Sequence, residues 1–384
     1  MSTSNICDNG AHLPYGEAGL GTFGADMGLS TDRYSVLLQN SDFLELVKNV
    51  PFPEKTSVYN IGDFGTCDGA AAMTLLRKLI ASLKEQHGSD VQFQIIHEDQ
   101  EVNDFNSLFR RLSGLIPEPP SYLQDFENVF ALASGTNFYK QCVPSDSMHI
   151  ILCLTAAHWL SGKPPVNKNN IFPFPNTDTD ARFMLELKAS EDWEKFLILR
   201  SRELKKGGLL VVSTTSNYTT TSGEVKITSG LFLSILNTLW TKFRDMGKIS
   251  QSEFVNTNMA LCDKSLNLLK APFEDPNSRV RKCNLRLLSA RLVDYPCEIY
   301  TDWKQRKDRD GVDDRVKFAR RFVSAHRCWS NSTFLTGLSG TRSQDEKEVI
   351  VNDLYVQVED VIQNMNPERF VDQDMFSFVY ITKE

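Results

Sequence analysis

None of the eight cysteines stands in a C-x-x-C pair, and none is grouped with histidine at metal-ligand spacing. Positions 7, 67, 142, 153, 262, 283, 297 and 328 therefore suggest neither a zinc site nor a disulfide framework. Several lie inside apolar runs, where a free thiol is a small buried side chain, and a reducing intracellular compartment is expected. The longest apolar run, Met148–Leu160, is too short to cross a bilayer, and the opening MSTSNICDNG has neither a basic nor an apolar signal region. A soluble cytoplasmic protein without a membrane partner is expected, so the sequons at Asn217 and Asn331 carry no weight. Basic charge is not in excess either: 42 Lys and Arg against 49 Asp and Glu leave a net charge of −7. The one dense basic run, Lys304–Arg321, is interleaved with Asp308, Asp310, Asp313 and Asp314, which makes it a solvated face, and no nucleic-acid partner is expected. A dinucleotide fingerprint is missing, as is any obvious Ser/His/Asp or paired-carboxylate arrangement.

What the chain does have is the stretch YNIGDFGTCDG at 59–69. An apolar strand over 57–61 runs into Asp63, a glycine-rich turn follows, and an amphipathic helix opens at Ala70 and continues to Lys84. Glycines at 62, 65 and 69 tolerate positive φ and let a ligand approach backbone N–H groups. The spacing fits the D-x-G-x-x-x-G form of methyltransferases that use S-adenosylmethionine. VQFQIIHED reads as a second strand, Val91–His97, ending at Glu98 and Asp99. A carboxylate at the end of a second strand can accept both hydroxyls of a ribose. NDFNSLFRRL starts the next helix, capped by Asn103 or Asp104. A short strand to Ala133, a loop with Asn137 and Phe138, and a strand over Met148–Thr155 follow, with His158 and Trp159 just past that strand's carboxyl end.

Further on, a helix over Asp192–Lys205 leads to a strand at Leu209–Thr214. Residues 216–280 read as an inserted helical cap. CNLRLLSARLV and PCEIYTDW read as returns to the sheet, helices follow over Asp314–Ser324 and Val349–Gln363, and FSFVYITKE closes the chain as a strand. Residues 1–30, rich in glycine and small polar side chains, read as flexible. The segment around Phe43, Leu44 and Val47 has helical spacing and carries Gln39 on a helix able to close over a site. The expected fold class is α/β: a Rossmann-like sheet with helices on both faces and an antiparallel last strand, plus a mainly helical cap. Its expected parts are a segment 1–50 closing over the site, a nucleotide-binding domain 51–215, a cap 216–283 that selects the acceptor, and a return to the sheet with further cap helices over 284–384.

Four segments resemble signatures of the SABATH family, the plant salicylic, benzoic and jasmonic acid and caffeine-type methyltransferases. DFGTCDG at 63–69 is similar to DLGCSSG, and EDQEVNDFNSLF at 98–109 to NDLPGNDFNxLF. GTNFYKQCVPSDSMHIILCLTAAHWLSGKPP at 135–165 resembles GSFYxRLFPxxSLHxxxSSYxLHWLSxxP, and FLILRSRELKKGGLLVV at 196–212 resembles FLxxRAxELxxGGxMVL. The resemblance implies S-adenosylmethionine as cofactor. Asp63, Gly65 and Gly69 would hold its methionine portion, Asp99 with Gln100 its ribose, and Asn137 and Phe138 its adenine. It implies that Trp159 holds the substrate carboxylate through its indole N–H, with Gln39 as second donor, and that His158 and Thr155 shape the pocket. It also implies a homodimer. The sequence departs from the pattern at Ala71, where the family has asparagine, at Thr155, where an aromatic is usual, and before Gln39, where Tyr34 and Ser35 fall out of register.

The expected function is transfer of a methyl group to the carboxylate of a small apolar or aromatic acid. A carboxylate is already ionised at neutral pH, so no general base and no metal are required. Two alternatives stand beside it: N-methylation of a small heterocycle, and a cofactor-binding protein without transfer.

Overall fold

The computed structural model describes residues 14–27, 34, 41–52, 58–163, 167–175, 178–295, 297–371 and 374–384. Gln39 and Ser35 lie outside them.

Seven strands form one sheet. They are β1 (Val58–Phe64), β2 (Gln92–Asp99), β3 (Val129–Gly135), β4 (Met148–Leu154), β5 (Leu204–Thr215), β8 (Leu285–Tyr295) and β9 (Asp374–Lys383), in the order β3-β2-β1-β4-β5-β9-β8. β6 (Asn217–Thr219) and β7 (Val225–Ile227) make a separate hairpin. The first five strands of the sheet pair parallel, and β9 runs antiparallel to both neighbours. The chain order reverses between β1 and β4, the place where open α/β sheets bind ligands at the carboxyl ends of their strands.

Alternation along the central strands decides which side chain joins which layer. Ile150, Leu152 and Leu154 of β4 point to one face and Ile151 and Cys153 to the other; Leu209 and Val211 oppose Leu210 and Val212 in the same way. The first face is covered by α1 (Thr22–Asp26) at its rim, α2 (Ser41–Lys48), α3 (Ala70–His87) and α4 (Phe105–Leu112). Leu75, Leu76, Leu79, Ile80 and Leu83 of α3 recur at helical spacing and are buried there. The other face is covered by α5 (Thr179–Glu203), α8 (Leu266–Glu274) and α9 (Arg279–Lys282), through Trp193, Leu197, Leu269, Phe273 and Val280.

A separate apolar core joins α6 (Gly230–Asp245), α7 (Gln251–Asn256), α10 (Glu298–Asp310), α11 (Arg315–Gly337) and α12 (Gln344–Asn364). Helical covering is thus drawn from before and after β8, while α8 and α9, inside the stretch read as cap, pack on the sheet. PCEIYTDW, read as strand, is the start of α10: Tyr300 and Trp303 are three apart and buried together, and the charged run after them takes the solvent side. α5 starts thirteen residues before its expected Asp192, because exposed Phe183, Met184 and Leu187 blur its apolar stripe. Among the described residues no helix is long and apolar enough to cross a membrane.

Candidate active site

The carboxyl ends of β1, β2 and β4 open into one cleft of about 240 Å³. On its β1–β2 side the chain turns sharply. Gly65 (φ 76°), Cys67 (φ 53°) and Gly69 (φ 78°) all take left-handed conformations, whereas Gly62 is inside β1 and needs no positive φ. A side chain on Gly65 would stand 2.3 Å from the Cβ of Ala156, so only glycine lets the turn pack against the end of β4. The turn is stitched to the end of β2. The Gly65 and Thr66 amides donate to the Glu98 carbonyl at 2.8 and 3.0 Å, and the Cys67 amide donates to Asp99 Oδ2 at 2.7 Å.

Asp99 itself faces the cleft, with its Oδ1 accepting from the Gln100 amide at 2.8 Å. Each oxygen keeps a lone pair, enough to accept a vicinal diol. Burial pushes the Asp99 carboxyl up to about 6, against the pull of the Cys67 and Gln100 amides. Glu98, buried one residue before, is raised well above the usual carboxylate range by burial and by its neighbour Asp99. Gly65, Gln100, Asn137 and Phe138 line the same cleft as Asp99. Asn137 Oδ1 accepts from the Tyr139 amide at 2.8 Å, which fixes the loop after β3, and the Phe138 ring is seated edge-on against Phe196.

Asp63 and Gly69 are placed elsewhere. The Asp63 carboxylate is buried away from the cleft, where its Oδ2 accepts from the Thr66 hydroxyl at 2.6 Å and meets His97 Nδ1 at 3.0 Å. His97 Nε2 continues to the Tyr122 hydroxyl at 2.9 Å. Asp63 therefore braces the turn from behind. Gly69 caps the start of α3, with Leu108 and Met73 where a side chain would go.

Asp68, unremarked in the sequence, proves central. It stands at the second serine of the DLGCSSG pattern, 4% exposed, and receives Arg111 Nη2 at 2.9 Å, the Gly24 amide at 3.0 Å and the Ala70 amide at 3.1 Å. Arg111 also donates to the Asp68 carbonyl and, through Nη1, to the Glu118 carbonyl. Through Gly24 this ion pair ties down residues 14–27, which are not a loose tail. Gly19 and Gly21 donate to Asp104 and Ser107 of the α4 cap, and the Tyr15 amide donates to the Cys328 carbonyl on α11. The segment straps the sheet to the helical layer and brings Pro14, Phe23 and Met27 to the cleft. Its glycines and small residues, read as flexibility, allow this close approach: a side chain on Gly24 would stand 2.4 Å from the Ala70 Cβ.

The far side of the cleft belongs to the end of β4. Thr155, at φ 61°, turns the chain into His158 and Trp159, and all three line the cavity. The backbone of residues 158–160 pairs with 260–262: Cys262 N–H donates to the His158 carbonyl, Leu160 N–H to the Ala260 carbonyl, and Trp159 bridges Leu261. The Tyr139 hydroxyl donates to the Trp159 carbonyl at 2.6 Å, coupling the loop after β3 to this wall. Tyr34, two positions past the family register, reaches the same place, its hydroxyl within 3.0 Å of both the Leu154 carbonyl and Thr155 Oγ1.

The model of a family described as SAM dependent carboxyl methyltransferase matches residues 35–276. This chain belongs to that family. Among relatives, loganic acid O-methyltransferase of Catharanthus roseus is 26% identical over 243 residues, covering 59% of this chain and 62% of that one. Farnesoic acid carboxyl-O-methyltransferase of Arabidopsis thaliana is 24% identical over 232 residues, covering 57% and 63%. The alignments thus span about three-fifths of the length of these curated relatives. A solved structure of loganic acid methyltransferase with SAH matches with a TM-score of 0.65 at 20% identity, over 96% of this chain and 94% of that one, which shows the shared fold. The family uses S-adenosylmethionine, and the cleft fits it: a half-buried carboxylate at the end of β2, a glycine cradle, and an aromatic ring beside them.

Proposed function

We propose that this methyltransferase-family chain esterifies the carboxylate of a small organic acid. The observation that carries the reading is one continuous cleft whose lining joins Asp99, Asn137 and Phe138 on one side to His158 and Trp159 on the other. In this reading Asp99 and Gln100 take the ribose hydroxyls, Gly65 lets the methionine portion approach, and Asn137 and Phe138 hold the adenine. Asp63 and Gly69 act through the shape of the turn. When bound, S-adenosylmethionine supplies a methyl group on a positively charged sulfur.

Trp159 holds the acceptor carboxylate through a neutral N–H, and Gln39 is proposed as a second donor. Among the described residues no lysine or arginine lines the cleft, so nothing there binds the attacking oxygen as an ion pair and damps its charge. Alignment by such donors is worth about 7–11 kcal/mol when the geometry is good. Thr155, fixed by the Tyr34 hydroxyl, and His158, packed against Trp159 with ring centroids 5.1 Å apart, shape the pocket. The proposal extends to a cytoplasmic homodimer, on the family resemblance and on the seven described cysteines being free thiols.

The test is calorimetric titration with S-adenosylmethionine and S-adenosylhomocysteine, followed by a labelled-methyl assay on a panel of carboxylic acids. Micromolar binding and a base-labile labelled product are expected; a base-stable product would instead mean transfer to nitrogen. Trp159→Phe removes one donor to a charged group and should raise the acceptor's KM about ten- to a hundredfold while cofactor affinity holds. An unchanged KM would make Trp159 a structural residue.

A further inference from the structure

Behind the cofactor turn, on the side away from the cleft, runs a line of polar side chains that methyl transfer by itself does not require. His97 and Tyr122 are both fully buried, and neither falls in any of the four segments that resemble the family. Burying an imidazole and a phenol costs free energy unless each is hydrogen-bonded, and an apolar pair would fill the same space without that cost. Their purpose lies in what they bond.

The partners assign the protons. Asp63 Oδ2 accepts from the Thr66 hydroxyl at 2.6 Å, and His97 Nδ1 lies 3.0 Å from the same oxygen and 3.0 Å from Thr66 Oγ1. An ionised carboxylate can only accept, so Nδ1 carries a proton. Nε2 is then the acceptor of a neutral ring, and the Tyr122 hydroxyl, 2.9 Å away, donates to it. A cationic His97 would turn Nε2 into a donor and leave the phenol proton with no acceptor among the described residues. Tyr122 itself is a fixed point. Its single turn of helix, Tyr122–Gln124, is capped by the Ser121 hydroxyl, which accepts from the Leu123 amide at 3.1 Å, and Asp125 just beyond pairs with Arg77 of α3.

At its other end the line reaches the cleft through Thr66. The Thr66 carbonyl accepts from the Gly69 amide at 2.9 Å, its own amide donates to the Glu98 carbonyl, and the next amide, that of Cys67, donates to Asp99 Oδ2 at 2.7 Å. Cys67 stands at φ 53°, a conformation that a residue with a side chain keeps only when its surroundings impose it. Asn103 Nδ2 holds the Cys67 carbonyl at 2.8 Å on the far side; on the near side the hold is Thr66, and Thr66 is held by Asp63.

We infer that His97 and Tyr122 are positioning residues for the cofactor: acting through Asp63 and Thr66, they aim the Cys67 amide at Asp99 and so keep the Asp99 carboxylate set for the ribose. The inference rests on the reading that Asp99 takes the ribose hydroxyls. Around Asp99 the titratable groups are Glu98 beside it on β2, Asp63 and the Cys67 thiol from β1 and its turn, and His97 two positions back on β2; β3 places Gly135 next to it and brings no charge. The Cys67 and Gln100 amides favour the ionised form of Asp99, and of these two the line from Tyr122 governs Cys67.

The experiment titrates S-adenosylhomocysteine calorimetrically, from about pH 5 to about pH 8, into the wild-type protein and the variants Tyr122→Phe, His97→Leu and His97→Asn, and records the melting temperature of each. At the upper pH, His97→Leu should bind about tenfold more weakly and Tyr122→Phe about threefold. In both, the loss of affinity in acid should set in about one pH unit above that of the wild-type protein, because Asp99 has lost an amide that favours its charge. His97→Asn, whose amide reaches Asp63 as Nδ1 does, should bind nearly as the wild-type protein does, although it gives up the bond to Tyr122 and should melt about as low as His97→Leu. If His97→Leu does not fold, Tyr122→Phe, which removes one oxygen atom, decides by its affinity and its pH curve. Wild-type affinity and pH dependence in the Phe and Leu variants overturn the inference, as do equal losses in the Asn and Leu variants that simply follow their melting temperatures. If Asp99→Ala leaves affinity and its pH dependence unchanged, the ribose reading itself falls, and this inference with it.

Discussion

Arg111→Leu is expected to lower the stability of the folded protein by about 3–5 kcal/mol, the cost of leaving a buried carboxylate without its cation. Arg111 is 1% exposed and Asp68 4%, so water cannot replace the lost partner. The effect should not stay local. Asp68 also receives the Gly24 and Ala70 amides, and Arg111 also reaches the Asp68 and Glu118 carbonyls, so the variant loosens the cofactor turn, the start of α3 and the strap over residues 14–27 together. Denaturation midpoints check this. Asp68→Ser in the Arg111→Leu background, restoring the serine of the family pattern, should recover much of the loss because it removes the uncompensated charge. A single variant that melts with the wild-type protein would show that the pair is not the anchor of this region.

Asp99→Ala should weaken S-adenosylhomocysteine binding by about 1–3 kcal/mol, roughly ten- to a hundredfold in Kd, with the acceptor's KM changed far less. The pH dependence separates Asp99 from a structural role. Its carboxyl is raised to about 6 by burial, so below that pH the free site is protonated and can no longer accept two hydroxyls. Wild-type affinity should fall by about tenfold for each pH unit below 6, and the alanine variant should show no such slope. Folding stability moves the other way. A carboxyl raised above its unfolded value stabilises the folded state fully below about pH 4 and loses that contribution as pH rises through 6. Opposite slopes for binding and stability would identify Asp99; parallel slopes would point to general acid loosening of the fold.

The pieces of the fold that announced themselves in the sequence were those with short-range causes. β1, its glycine turn and α3 were legible because strand alternation, left-handed positions and helical spacing are all written within thirty residues. The same holds for His158 and Trp159, marked by their place after a strand of seven buried residues. Asp99 was legible because an acid that closes an apolar strand puts its charge at the end of the sheet where ligands sit. Asp63 misled because its position in the motif matches a ligand contact, while the residues that capture it, His97 and Tyr122, lie 34 and 59 positions away in the chain. Tyr34 was given no role because it stands out of register with the family pattern, and its contacts with the Leu154 carbonyl and Thr155 lie 120 and 121 positions away in the chain.

By itself, the sequence determined the sheet class, the cofactor turn and the family, since these depend on local periodicity and on contiguous motifs. Tertiary structure alone decided that Asp68 and Arg111 are one buried unit and that residues 14–27 form a strap. Burial is the physical reason. A charge or a lone pair takes its meaning from what surrounds it after water has been excluded, and those surroundings come from elements distant in sequence.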